Sequence, residues 1–299
     1  MNWFPDRKRL RQGFADHWAL VGRTFEAWNA DNGPRMGAAL AYYALFSLAP
    51  VLMIAVAVAG SVYGDISAQD EVVKQARYYI GTNGARAVRS LLGSMAEVKN
   101  GFGGAIVSAA VLVFAASGLV SELQSALNDI WKVEPAPRPW LALVRRRAIA
   151  LGFVLGAGLL LLLELIMSAV ISALGGYVSS RLPVPEALLH TADFILSFGA
   201  ATLLLAFVYK YLPDTRISWR DVWTGAGVTS VLLTLGNLAI GIILGKSDLT
   251  TAFGAGGSLL LIVAWIFYGA QLLYFGAEFT HAHALARGLT GPAARPEKS

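Results

Sequence analysis

Residues 148–174 read AIALGFVLGAGLLLLLELIMSAVISAL and follow directly on Arg145, Arg146 and Arg147. About 20 consecutive apolar residues suffice for a helix to cross the hydrocarbon core of a bilayer. This run is longer, so it spans with some tilt. Each Leu, Ile, Phe or Val favours insertion by about 0.3–0.6 kcal/mol, and an acid near the centre opposes it by roughly 2.5–3.5 kcal/mol. The apolar residues together outweigh the single acid, Glu164. The run therefore inserts a carboxyl group near mid-membrane, with its arginine end on the cytoplasmic side.

Composition extends this reading to the whole chain. Of 299 residues, 56% are hydrophobic and only 14% charged, which places the chain among polytopic membrane proteins. The net charge of +5 does not indicate nucleic acid, because the basic residues stand beside apolar runs, where they set topology. There is no cysteine, hence no disulfide, thiolate metal site or thiol chemistry. The first apolar run is too long for a signal-peptide core and reads as an uncleaved anchor.

Five further runs have spanning length, giving six expected spans: about 37–62, 103–130, 148–174, 192–211, 222–244 and 258–280. The expected fold class is all-α, a polytopic integral membrane protein: residues 1–35 a cytoplasmic basic segment, 36–284 the six-helix domain, 285–299 a disordered cytoplasmic tail. Lys plus Arg number six before span one, five after span two and three after span four, against one each after spans three and five; the longer 63–101 segment holds five, offset by Asp65, Asp70, Glu71 and Glu97. Both termini are thus expected in the cytoplasm.

Between the spans, patterns differ. Leu10, Phe14, Trp18, Val21, Phe25 and Trp28 form one helical stripe, with Arg7, Lys8, Arg9 and Arg11 among the intervening positions. This fits an amphipathic helix held by its basic residues on the anionic inner leaflet, or a stripe packed on the bundle. Asp31-Asn32-Gly33-Pro34 ends it. Residues 63–101 have helical spacing on either side of Gly81-Thr82-Asn83-Gly84, so two short amphipathic helices with a turn are expected outside the membrane.

Polar residues inside the spans are the candidate sites. Ser117, Ser121, Gln124 and Asn128 share one face of span two, with Glu122 beside it. Such a face meets other helices or a water-filled cavity, not lipid. Span one carries Tyr42, Tyr43, Ser47 and Pro50; the proline frees a backbone carbonyl that a neighbour or water must meet. Asn237 and Gln271 stand in spans five and six. None of the six apolar cores holds a Lys or Arg, so Glu164 meets water or such polar groups. Gly152 and Gly156 form a GxxxG pair that permits close helix packing, as do Gly241 and Gly245.

Four stretches resemble one family. AALAYYALFSLAPVL in span one, ALNDIW ending span two, YKYLPDTRISWRDVWTGA between spans four and five, and FGAGGSLLLIVAWIFYGAQLLYFGAEFTHA in span six are similar to the YihY/BrkB family of bacterial inner-membrane proteins. The resemblance implies six transmembrane helices in a bacterial cytoplasmic membrane. It implies little about activity, since members have been labelled both as ribonuclease BN and as serum-resistance or virulence factors.

The nuclease label finds no support in the residues. Metal-dependent hydrolysis needs several converging His and carboxylate ligands. The histidines are His17, His190, His281 and His283, and the last two, two residues apart on a helix, point about 200° from each other. No P-loop, dinucleotide fingerprint or Ser/His/Asp arrangement is visible, and no cofactor is implied. Two function classes remain. One is a transporter or flippase-like carrier of a lipid or small molecule, with Glu164, the polar face of span two and the kinked span one lining a cavity. The other is a scaffold or envelope-integrity factor that transports nothing. Self-association is left open by both.

Because no native cysteine interferes, single cysteines report orientation cleanly. Ser179→Cys is expected to react with an impermeant thiol reagent added to intact cells, and Ala142→Cys is not. The reverse pattern rejects the orientation.

Overall fold

The computed structural model describes residues 7–63, 65–96, 117–133, 186–245 and 255–288, with the helical positions Gly152 and Gly156. Among the described residues the chain is helical and contains no strand. The helices are α1 (Arg7–Ala30), α2 (Gly33–Tyr63), α3 (Asp65–Ala96), α4 (117–130), α5 (Glu186–Tyr211), α6 (Trp219–Gly245) and α7 (Ala255–Ala286). Helices α2, α5, α6 and α7 contain the expected first, fourth, fifth and sixth spans, and α4 the second half of the second. The third span, with Glu164, lies outside the described residues apart from Gly152 and Gly156. Two helical windows, Phe194–Tyr211 and Ile262–Ala286, are long and apolar enough to cross a membrane.

The helix boundaries follow local chemistry. Asn32 closes α1 in the left-handed conformation (φ 57°), and its carbonyl accepts from Met36 N–H at 3.1 Å to open α2. Two residues thus end one helix and start the next, with Pro34 in the first turn, where its missing N–H costs nothing. The ring of Trp28 covers Gly33 so closely that a Cβ there would overlap it. Pro213 stops α5, and Ser218 caps α6 by accepting from Asp221 N–H and Val222 N–H, both at 3.1 Å.

Helix α3 is helical from end to end but not straight. Asp70 and Arg89 are 19 residues apart, about 28 Å along a straight helix. Their side chains nevertheless meet at 2.7 Å. The element therefore bends back between them. Every residue from Asp65 to Ala96 is nonetheless helical, so the expected turn at Gly81-Thr82-Asn83-Gly84 is not seen as a break in the helix. Val73, Val88 and Leu92 share one apolar cluster with Leu52 of α2.

Helix α7 is the centre of the bundle, touching α1, α2, α3 and α6. Its contact with α6 is antiparallel and very close. A Cβ on Gly225 would overlap Thr280, and a Cβ on Gly276 would overlap Thr229. Each threonine hydroxyl donates to the carbonyl of the glycine one turn earlier in its own helix, Thr229 to Gly225 at 2.8 Å and Thr280 to Gly276 at 2.7 Å. Tyr209 of α5, 1% exposed, donates to Leu273 O at 2.7 Å and lies 3.0 Å from the Thr229 hydroxyl. Small residues thus bring the backbones together, as in helix pairs that associate within lipid. The glycines making these contacts are Gly225, Gly236 and Gly276. The side-chain surroundings of the expected Gly241–Gly245 pair lie outside the described residues.

Among the α1 side chains described, Leu20 and Thr24 are buried, while Val21 and Phe25 of the expected stripe are 39% and 57% exposed. The stripe is thus divided: Val21 and Phe25 face away from the bundle, and Trp28 packs against its core.

Gly276→Ala is expected to destabilise the protein by about 1–3 kcal/mol, because its new methyl must displace both Thr229 and Tyr209. A Cβ on Gly227 would meet nothing within 4 Å, so Gly227→Ala serves as the control and is neutral or stabilising. Melting temperatures in detergent compare the two; equal losses would contradict the interlock.

Candidate functional site

The site is built from two helix ends. Helix α4 closes with Val133 N–H donating to Asn128 O at 2.9 Å, the long bond of a Schellman cap. The left-handed residue in such a cap is usually glycine; here it is Lys132, at φ 53°. Among the described residues, Asn32 and Lys132 are the non-glycine residues with positive φ. Asparagine tolerates that conformation, whereas for a lysine it costs about 1 kcal/mol or more. Both flank one interaction: Lys132 Nζ lies 2.5 and 2.6 Å from the two carboxylate oxygens of Asp31. The pair ties the end of α1 to the end of α4.

Glu278 of α7 lies behind this pair, its carboxyl close enough to that of Asp31 for the two to interact. Exposure falls steeply inward, from 61% for the Lys132 side chain to 15% for Asp31 and 1% for Glu278. The Oε1 atom of Glu278 has no hydrogen-bond partner among the described residues. One turn further along, Tyr274 is fully buried with its hydroxyl unpartnered, within electrostatic reach of Glu122. Beyond it, Gln271 makes a long bond from Nε2 to Pro34 O (3.5 Å), and its Oε1 has no partner. Residues 271, 274, 278 and 281 are spaced three, four and three apart, so they share one face of α7. His281 completes the outer end, its ring 4.8 Å from that of Trp131. A buried polar atom without a partner costs about 1–3 kcal/mol, so this seam of three is expensive in a purely structural helix.

The candidates read from sequence are distributed differently. Gln124 Nε2 donates to Leu212 O at 2.9 Å and to Asp214 at 3.3 Å. Asn128 Nδ2 donates to Asp214 at 2.8 Å, and its Oδ1 accepts from Asp214 N–H at 2.8 Å. These two residues clamp the α5–α6 loop onto α4. Glu122 is half-buried beside the seam, Ser117 is half-buried and Ser121 is exposed. Tyr42 (60% exposed) and Tyr43 (37%) are exposed on α2, Tyr43 with its ring against Gly118 of α4. Ser47 is buried and donates to Ala44 O at 2.9 Å within its own helix. Pro50 and Asn237 fall within α2 and α6, and Arg7, Lys8, Arg9 and Arg11 within α1, but their side chains lie outside the described residues, as does Glu164. Of the candidate set, Gln271 and Glu122 are brought to the seam.

Asp31, Lys132 and Glu278 are not among the candidates read from sequence: Glu278 stands near the end of the run 258–280, and Asp31 in the segment that ends the α1 stripe. The available signal was Glu278 itself, an acid within an apolar run, as isolated there as Glu164 in span three. His281 and His283 face different neighbours: His283 lies 3.9 Å from Asp221, which Arg287 holds at 2.8 Å. Among the described residues no group of three or more His, Cys, Asp or Glu is placed to hold a metal ion.

Two variants separate strain from charge at Lys132. Lys132→Ala loses the bond to Asp31 and keeps the unfavourable φ, a loss of about 1 kcal/mol given the exposed lysine. Lys132→Gly loses the same bond but relieves the backbone, recovering about 1 kcal/mol. The glycine variant is therefore expected to melt above the alanine variant; equal melting would show that the cap is unstrained.

Comparison with known proteins agrees with this architecture. The family profile described as Virulence factor BrkB matches residues 24–299. A "UPF0761 membrane protein" of Verminephrobacter eiseniae is 28% identical over 271 residues, covering 88% of this chain and 62% of the relative. One from Tolumonas auensis is 25% identical over 283 residues, covering 91% of this chain and 85% of the relative. One from Alcanivorax borkumensis is 26% identical over 273 residues, 89% of this chain and 59% of the relative. The chain thus spans about three-fifths of the Verminephrobacter and Alcanivorax relatives. No solved structure matches it. With a family profile matched from Thr24 to the last residue, the chain belongs to the BrkB family of membrane proteins.

Proposed function

We propose that the protein is a six-span transporter or flippase-like carrier of the bacterial inner membrane, with both termini cytoplasmic and a lipid or small molecule as its substrate. The observation that carries this reading is the seam of buried polar atoms along α7, at Gln271, Tyr274 and Glu278, that have no hydrogen-bond partner among the described residues. A helix that served only to pack would gain by replacing them with apolar groups. A path for a polar or charged species needs them, and ionisable residues at membrane depth mark such paths. Glu122 lies beside this seam, and Glu164 of span three is the further candidate. The outward face of Val21 and Phe25, together with Arg7, Lys8, Arg9 and Arg11, suits an anionic inner leaflet. A ribonuclease is the poorer reading, since His281 and His283 serve separate partners.

One observation favours the scaffold reading instead. Gly152 and Gly156 are exposed, and a Cβ on either would meet nothing within 4 Å, so this pair offers a seat for a helix of another chain.

Proteoliposomes carrying a fluorescent short-chain phospholipid separate the two. The carrier reading expects faster exchange of the label between leaflets with protein than without, and loss of that exchange in Glu164→Gln if Glu164 must exchange a proton, since an amide cannot titrate in this range. If Glu164 is only a hydrogen-bonding group, Glu164→Gln remains active. Label exchange no faster than in empty vesicles rejects a flippase for such lipids.

A further inference from the structure

We infer that the Asp31–Glu278 pair is a binding site for one positive charge, a proton or a small monovalent cation, entered from the cytoplasmic side past Lys132. It deepens the carrier reading by naming the coupling ion, and rests on that reading only for its purpose.

The charges around the site do not balance without an occupant. Asp31 enters from the α1–α2 turn, Glu122 and Lys132 from α4, and Tyr274, Glu278 and His281 from α7. Counted formally, the two carboxyl groups of Asp31 and Glu278 face one lysine, with the His281 ring beside them. Lys132 is fully engaged, since its ammonium group contacts both oxygens of Asp31. That leaves Glu278, 1% exposed, against another carboxyl and with Oε1 unpartnered among the described residues. Two carboxylates in contact repel, and such a pair is held together by a proton between its oxygens or by a cation across them.

The geometry sets the size and route of the occupant. With no group of three or more metal-ligating side chains among the described residues, the site suits a single charge better than a divalent ion. The gradient of exposure from Lys132 through Asp31 to Glu278 leads from water to the buried oxygen. The unpartnered hydroxyl of Tyr274, one turn further in, is the next group able to accept or donate a proton. Binding adds the charge to Glu278 and release returns it; no bond other than that to the proton or cation changes. The left-handed residues Asn32 and Lys132, the second of them strained, hold the mouth in a fixed arrangement.

The test uses the full chain in lipid nanodiscs, in potassium, sodium or choline chloride at constant ionic strength. For a bound proton, infrared difference spectra between acid and alkaline buffer show a protonated-carboxyl band in the wild type. That band is lost in Glu278→Gln, shifted or lost in Asp31→Asn, and retained in Glu122→Gln. For a bound cation the band is absent, and the melting temperature rises in sodium or potassium relative to choline, a rise lost in Glu278→Gln and Asp31→Asn. A wild type with neither the band nor a cation-specific rise overturns the inference. So does either signal persisting unchanged in both variants. Glu278→Gln and Asp31→Asn remove the pair from opposite sides, so one that fails to fold leaves the other informative. A failed lipid-exchange assay leaves these binding signals intact, so the two proposals fail separately.

Discussion

The closest contact in the bundle is the one on which the rest depends. Gly225 faces Thr280 and Thr229 faces Gly276, so two antiparallel helices interlock through two copies of the same Gly-to-Thr spacing. Lipid supplies no hydrophobic drive for helices to associate, so close backbone contact and hydrogen bonding must do it. The threonine hydroxyls would be a liability in such a seam, but each bonds a carbonyl of its own helix. This contact also fixes where Glu278 goes. Successive residues turn by 100° around a helix, so Glu278, two residues from both Gly276 and Thr280, points away from α6. It is thereby directed at the ends of α1 and α4, where Asp31 and Lys132 wait.

The two positive-φ residues make sense in this frame. Asn32 lets α1 and α2 follow each other with almost no loop, which brings Asp31 to the bundle instead of leaving it on a flexible tether. Lys132 occupies a cap position that a glycine would fill without strain. A glycine would have no ammonium group to offer Asp31. The sequence gives up some stability at that cap and gains a charge held at a defined place, the pattern found where backbone strain serves a site.

Much of the fold was readable because apolar length and helix breakers are strong local signals. The runs at 37–62, 192–211, 222–244 and 258–280 each fall within a helix, and Gly81-Thr82-Asn83-Gly84 lies between Asp70 and Arg89, the residues that the bend of α3 brings together. The site was less readable because it depends on which helices meet. Gln124 and Asn128 form a polar face either way; only the placement of Asp214 opposite them makes that face a clamp. Tyr42 and Tyr43 are exposed on α2, and only the approach of α4 shows that Tyr43 lies against Gly118. Glu278 stood near the end of its run, where an acid ordinarily reaches the interface, and nothing local shows that α1 and α4 close over it.

The bundle holds two buried acids that serve as controls for each other. Asp221 and Glu278 are each 1% exposed and belong to neighbouring helices, α6 and α7. Asp221 receives Arg287 at 2.8 Å and has the ring of His283 at 3.9 Å, so its charge is met by groups on the next helix. That arrangement latches the end of α7 to the start of α6, and its role is complete without any ligand. Glu278 has the same burial but interacts with another carboxyl, and among the described residues its Oε1 has no partner. Burial alone therefore does not explain Glu278, since the same chain shows how a buried acid is satisfied when its purpose is structural. The difference lies in what faces it. A cation-binding group must keep an oxygen free in one state of its cycle, and Glu278 is the buried acid among these two that does.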